Sequence, residues 1–91
     1  MYYVYILFST KDARLYIGST SDLKSRIKRH NLGFVIATKN RRPLKLIYYE
    51  VYLASQDAKR REKFLKGGKG RTELKIQLQG AFTKIGYQYR S

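Results

Sequence analysis

The chain has 91 residues, 43% of them hydrophobic and 14% aromatic, and sets 20 Lys and Arg against 6 Asp and Glu for a net charge of +14. That length holds one domain with no room for a second core; the absence of cysteine excludes disulfides and thiolate metal sites and agrees with a reducing cytoplasm; and no apolar run approaches the ~20 residues of a membrane span. A charge of this size speaks of partners, and a polyanion is the natural one, nucleic acid first.

Tyr2 to Phe8 is β-branched and aromatic-rich and reads as a strand, without the basic leader of a signal peptide. Ser9-Thr10-Lys11-Asp12 reads as a polar turn, and Leu15-Tyr16-Ile17-Gly18 as the returning strand. If Ser9 to Asp12 form the loop, Tyr5 faces Tyr16 directly and two phenols stand side by side. Ser21 or Thr20 can cap a helix over residues 22–31, with Asp22 in its first turn and Lys28, Arg29 and His30 in its last. Arg26 and His30, four apart, project as neighbours.

A polar, basic connection from Phe34 to Pro43 carries Lys39, Arg41 and Arg42. Leu44 to Leu53 reads as the third strand. Ile47, Tyr49, Val51 and Leu53 alternate with Leu46, Tyr48, Glu50 and Tyr52, and both sets are apolar enough for a central strand covered on both sides. Ser55 can cap a helix over residues 56–66, ended by Gly67-Gly68. Ala58, Glu62 and Leu65 share one stripe of it, which puts a lone carboxylate at the edge of an apolar face. Lys69-Gly70-Arg71 reads as a basic turn and Thr72 to Leu78 as a short third helix. Residues 1–80 form the expected domain, and 81–91 a tail whose structure the pattern leaves open.

The pieces Tyr3-Val4-Tyr5, Tyr16-Ile17-Gly18-Ser19-Thr20, Asp22-Leu23 with Arg26 and His30-Asn31, Pro43 with Ile47-Tyr48-Tyr49-Glu50, and Ala58 with Arg61-Glu62 and Lys66 follow one another in order. This series resembles the GIY-YIG nuclease superfamily. It looks most like the small stand-alone bacterial members related to the nuclease module of the excision-repair C subunit. The resemblance implies an α+β fold, a three-stranded antiparallel sheet flanked by helices in the order β-β-α-β-α(-α). It also implies hydrolysis of DNA, in repair or recombination, with one divalent ion, Mg²⁺ or Mn²⁺. By position, Tyr5, Tyr16, Arg26, His30 and Glu62 match the catalytic set, with Glu62 the metal ligand. Ser19 stands where repair nucleases carry lysine, and Gln77 is the nearest substitute for the asparagine that many relatives place after the glutamate.

These residue types suit phosphodiester cleavage. Mg²⁺ takes one or two carboxylates and keeps its waters, and an arginine forks onto phosphate. A free tyrosine has a pKa near ~10, so a phenol serves as base only beside positive charge; Tyr16 is the favoured base, with Tyr5 and His30 in support. Lys28, Arg29, Lys39, Arg41, Arg42, Lys59, Arg61, Lys66, Lys69 and Arg71 are the expected nucleic-acid contacts, touching phosphates rather than bases. DNA, including branched or structured DNA, is the expected partner, with RNA second. An anionic membrane is disfavoured because no basic amphipathic helix shows an exposed apolar face. A protein partner or an oligomer would supply the specificity that one small domain lacks. A non-catalytic nucleic-acid-binding module on the same fold is the alternative.

Overall fold

In the structure, a computed structural model that describes residues 1–88, three strands carry four helices. The strands are β1 (Tyr2–Ser9), β2 (Leu15–Thr20) and β3 (Leu44–Tyr52); the helices are α1 (Leu23–Leu32), α2 (Ser55–Lys66), α3 (Gly68–Gln77) and α4 (Gln79–Ile85). A single 3₁₀ turn, Lys39–Arg41, precedes β3. The sheet is antiparallel with order β2-β1-β3, and the fold class is the α+β arrangement expected from the sequence. Among the described residues no helix is long and apolar enough to cross a membrane.

The central strand is β1, not β3. From Val4 to Phe8 β1 is buried on both faces. Val4 and Ile6 look towards one core with Ile17, Ala58, Leu65, Leu74, Leu78 and Phe82. Tyr5 and Leu7 look towards a second, smaller core with Leu44, Tyr16, Leu23, Ile27 and Leu46. Helices α2, α3 and α4 thus cover one face and α1 the other. On the edge strand β3, a bulge breaks the expected alternation. Ile6 pairs with Tyr48 and Leu7 with Leu46, so Ile47 is an extra residue. Ile47 joins Tyr48 and Tyr52 on the α2 side, while Leu46 turns to the α1 side.

The hairpin register also differs from expectation, by two residues. Tyr5 pairs with Gly18, and Tyr16 with Leu7. The buried Ser9 is the reason. Its Oγ accepts from the amides of Lys11 and Asp12, and its own amide donates to the Arg14 carbonyl, so the four-residue loop runs from Thr10 to Ala13. Ala13 takes the left-handed conformation, φ 58°. A shift of two preserves the faces, so both phenols still lie on one side.

The helix ends follow local chemistry. Asp22 is the cap of α1 rather than a first-turn acid, accepting from the Ser25 amide at 3.2 Å. Gly33, φ 84°, closes α1, its amide and that of Phe34 returning to the carbonyls of His30 and Arg29. Ser55 lies inside α2, whose first residue follows an uncapped Ala54. Lys69-Gly70-Arg71 is not a turn but the first turn of α3, which restarts immediately beyond Gly67. Helix α4 seats Phe82 in the larger core, which gives residues 79–85 a defined place; Tyr89 and Arg90 of the tail lie outside the described residues.

Glu50, on the α2 side of β3, ties these layers together. It accepts the hydroxyls of Tyr48 and Tyr52 and a two-pronged ion pair from Arg61, whose guanidinium also reaches Glu73 on α3. Burial and the ionised Glu50 push both tyrosines up to about 12. Gln77 donates to Tyr48, which places it in this network.

Gly70 lets α3 press against the end of α2: a β-carbon there would lie 2.0 Å from the Phe64 carbonyl oxygen and 2.6 Å from Leu65 Cα. Gly80 in α4 faces open space. Urea denaturation should therefore show Gly70→Ala losing about 1–3 kcal/mol or more to overpacking. Gly80→Ala should be neutral or gain up to about 1 kcal/mol from helix propensity. Equal effects at the two glycines would contradict this packing.

Candidate active site

Tyr5 lies at the centre of the α1-covered face, fully buried, and its hydroxyl needs partners there. The strand pairing supplies the space. Opposite Tyr5 stands Gly18, where a β-carbon would lie 2.5 Å from the phenol oxygen and 3.1 Å from the Tyr16 ring. The missing side chain lets the Tyr5 ring lie across β2 and brings it to 6.3 Å from the Tyr16 ring, centroid to centroid.

Helix α1 supplies the partners. His30 Nε2 is 2.8 Å from the Tyr5 oxygen, and Arg26 Nε donates to the same oxygen at 3.4 Å. The other imidazole nitrogen, Nδ1, lies 2.7 Å from Thr38 Oγ1. Thr38 donates its hydroxyl hydrogen to the Val35 carbonyl. That assigns the imidazole hydrogen to Nδ1, where it donates to Thr38, and leaves Nε2 to accept from Tyr5. His30 also meets the Tyr16 ring edge-on, 5.0 Å between centroids. Its successor Asn31 pins the end of α1 to the start of β3, accepting from the Leu44 amide at 2.8 Å and donating to the Leu44 carbonyl at 2.9 Å.

The charges follow from this packing. Burial, with Arg26 nearby, pushes His30 down from 6.5 to about 4, so the imidazole is neutral at pH 7. Burial raises Tyr5 despite the Arg26 hydrogen bond, so it stays a phenol. Arg26 is held firmly charged by Tyr5, with Tyr16 within its influence. Tyr16 itself is half-buried.

Glu62 comes from α2, on the far side of the sheet, and meets β2 at Ser19, which lies opposite Val4 on that same side. Its Oε1 accepts from Ser19 Oγ at 2.5 Å and its Oε2 from Lys66 Nζ at 2.7 Å. Burial opposes its ionisation, but Lys66 and Ser19 outweigh it and hold the carboxyl below the usual range. Its charge bears on both Tyr5 and Arg26. The structure thus gathers Tyr5, Tyr16, Arg26 and His30 in one cluster, with Glu62 on the other side of β2, held by Ser19 and Lys66. Among the described residues there is no cluster of three His, Cys, Asp or Glu. The donor set therefore suits only a hydrated hard cation that asks for one carboxylate, and Glu62 beside the Ser19 hydroxyl fits that demand.

Of the basic residues singled out in the sequence, Lys28, Arg29, Lys39, Arg42, Lys59, Lys66, Lys69 and Arg71 are exposed. Arg41 and Arg61 are committed within the protein. Arg41 pairs with Asp12 and donates to the Leu15 carbonyl; Arg61 pairs with Glu50 and Glu73. Thr38 had no signal in the sequence, because it reaches His30 from an irregular segment whose path no periodicity reveals.

The His30 displacement fixes a pH dependence of stability. The unfolded chain binds a proton near pH 6.5 that the folded chain refuses until about pH 4, so this contribution is complete above 6.5 and falls away as pH drops through that window. In urea unfolding, wild type should lose about 2 kcal/mol between pH 7 and pH 5 from this one group. His30→Gln should be less stable at pH 7 yet change far less over the same interval. Parallel losses in the two proteins would contradict a buried neutral imidazole.

Comparison with known proteins agrees with the fold and with the family resemblance. The GIY-YIG catalytic domain family model matches residues 1–75. A UPF0213 protein of Clostridium perfringens is 45% identical over 67 residues, 72% of this chain and 71% of that one. A UPF0213 protein of Staphylococcus haemolyticus is 40% identical over 76 residues, 82% of this chain and 92% of its own length. The solution NMR structure of a UPF0213 protein from Bacillus halodurans superposes with a TM-score of 0.52 at 34% identity, covering 88% of this chain and 87% of that one. The chain belongs to the GIY-YIG family, a nuclease superfamily whose substrates are nucleic acids, and stands with its small UPF0213 members.

Proposed function

We propose that the protein is a divalent-metal-dependent endonuclease that hydrolyses phosphodiester bonds in DNA. One observation carries this reading: Arg26, Tyr16 and the buried Tyr5–His30 pair converge on one side of β2, with the ionised Glu62 acting on them across its edge. Exposed lysines and arginines on α1, α2 and α3 offer phosphate contacts on either hand.

In this reading the residues divide the work. Glu62, oriented by Ser19, would hold Mg²⁺ or Mn²⁺, with Lys66 swinging out to an incoming phosphate; Lys66 is half-exposed and has the reach. The ion, when bound, stabilises the charge that develops on the transferred phosphoryl group. Arg26 grips the scissile phosphate by charge-assisted hydrogen bonds. Tyr5, un-ionised and locked to His30, fixes the guanidinium rather than taking a proton. His30 has both nitrogens engaged inside the protein, which suits it to positioning. Tyr16, reachable from solvent and beside Arg26, is the residue suited to act as base, its phenolate oxygen taking the proton of the attacking water.

The test is nicking of supercoiled plasmid. Wild type with Mg²⁺ or Mn²⁺ should convert it to open circles, and a chelator should stop the reaction. Glu62→Gln keeps the shape and the Ser19 contact but loses the charge, and should slow nicking at least ~100-fold, given the several kcal/mol a catalytic ion supplies. A wild type that nicks with no divalent ion tested, or a variant as fast as wild type, would sink the assignment.

A further inference from the structure

Between α1 and the 3₁₀ turn, the chain makes a short apolar projection that the reaction described above does not use. Phe34 is 65% exposed and Ile36 is 92% exposed, while Val35 and Thr38 between and behind them are buried. The loop is not slack. The Phe34 amide donates to Arg29, the Thr38 amide donates to Val35, and Thr38 Oγ1 holds His30. Gly33 leaves room for the Arg42 guanidinium, whose Nη1 would lie 2.9 Å from a β-carbon there, and Arg42 Nε is fixed on the Lys39 carbonyl. Two apolar side chains therefore project from an anchored loop flanked by Arg29, Lys39 and Arg42, all exposed.

A large apolar side chain held out in water beside exposed cations fits a partner with apolar surface behind a fence of anions. Nucleic acid has that layout, with stacked bases behind phosphates. Proteins that kink DNA insert Phe, Leu or Ile between base steps, and the insertion is cheapest where stacking is already broken. A second copy of this chain is a poor occupant at a net charge of +14. A membrane is a poor one too, since the projection is a single loop and not an amphipathic helix.

We propose that Phe34 and Ile36 form a wedge that enters DNA at a break in stacking, such as a bulge, branch or nick, and so selects discontinuous duplex as substrate. The proposal rests on the nucleic-acid reading above and names the substrate class of that site. The anchoring explains how recognition would register with chemistry. Ile36 is two residues from Thr38, no more than ~7 Å of chain, and Thr38 is joined through His30 to Tyr5 and Arg26. A wedge seated at a break would therefore set which phosphate lies over Arg26.

The test measures binding by fluorescence anisotropy without divalent ions, using a three-way junction, a bulged duplex and a continuous duplex of matched composition. A 2-aminopurine is placed beside each discontinuity. Wild type should prefer the discontinuous forms at least 10-fold and should brighten the 2-aminopurine as it unstacks. The F34S/I36S double variant, whose melting temperature checks its fold, should lose the preference and the brightening while its affinity for continuous duplex changes less than 2-fold. Ile36→Leu, which keeps the apolar tip, should retain both effects. Equal binding of all three DNAs by wild type, or an unchanged preference in the double variant, overturns the wedge. It is likewise overturned if the double variant loses only binding to anionic phosphatidylglycerol vesicles, or only self-association in sedimentation. Preferential binding without cleavage when Mg²⁺ is restored would leave the wedge standing and remove the nuclease reading.

Discussion

A phenol hydroxyl buried at the centre of a small protein must be satisfied, and the way Tyr5 is satisfied organises this molecule. Gly18 opposite it has no side chain, so the ring lies flat across β2 instead of being turned away. Its hydroxyl then reaches His30 and Arg26, one turn apart on α1, and His30 reaches Thr38 in the loop beyond. Sheet, helix and loop are joined through one oxygen and one imidazole. Leaving any buried member of such a chain unpaired costs about 1–3 kcal/mol, a large share of the stability available to a domain of this size. The same chain sets where Arg26 points, so in the function proposed above folding and phosphate recognition draw on a single interaction.

The second half of the site arrives by a different route. Glu62 belongs to the helix on the opposite face and meets the sheet at Ser19 of the edge strand β2. The Glu50–Arg61 pair, one residue away on α2, holds that helix to β3 and α3. Gly70 permits the close α2–α3 crossing that brings Glu73 to the same guanidinium. Two polar networks therefore brace the two faces, Tyr5–His30–Thr38 beneath α1 and Glu50–Arg61–Glu73 beneath α2 and α3, while β2 carries Tyr16, Gly18 and Ser19 in four residues. In a chain with so few acids, Glu50 and Glu62 divide the work: one carboxylate fixes the scaffold and one is left facing the site.

Much of this was legible in the sequence, because strands and helices announce themselves through periodicity, and the ordered set Tyr5, Tyr16, Arg26, His30, Glu62 stood out against it. The errors have local physical causes. The hairpin register moved by two because Ser9 caps the turn with its side chain, a contact no alternation of apolar residues encodes. β3 looked central because aromatic residues occupy both of its faces, but as an edge strand it covers Tyr48 and Tyr52, held by Glu50 on the α2 side, and leaves Tyr49 and Val51 exposed on the other. Lys69-Gly70-Arg71 looked like a turn because glycine usually breaks helices, whereas here Gly70 serves close packing inside one. Thr38 and the roles of Arg41 and Arg61 depend on partners 8 to 29 residues away, beyond the reach of any local pattern.

The central claim is that Glu62 and the Tyr5–Arg26 cluster face one shared site across β2. Paramagnetic broadening of amide signals by substoichiometric Mn²⁺ tests it most directly. The account predicts that Ser19, Glu62 and Lys66 broaden first, with Gly18 and Arg26 next, and that Glu62→Gln abolishes the pattern. Broadening centred on Asp12 or Glu73, or a pattern unchanged by the substitution, would contradict it.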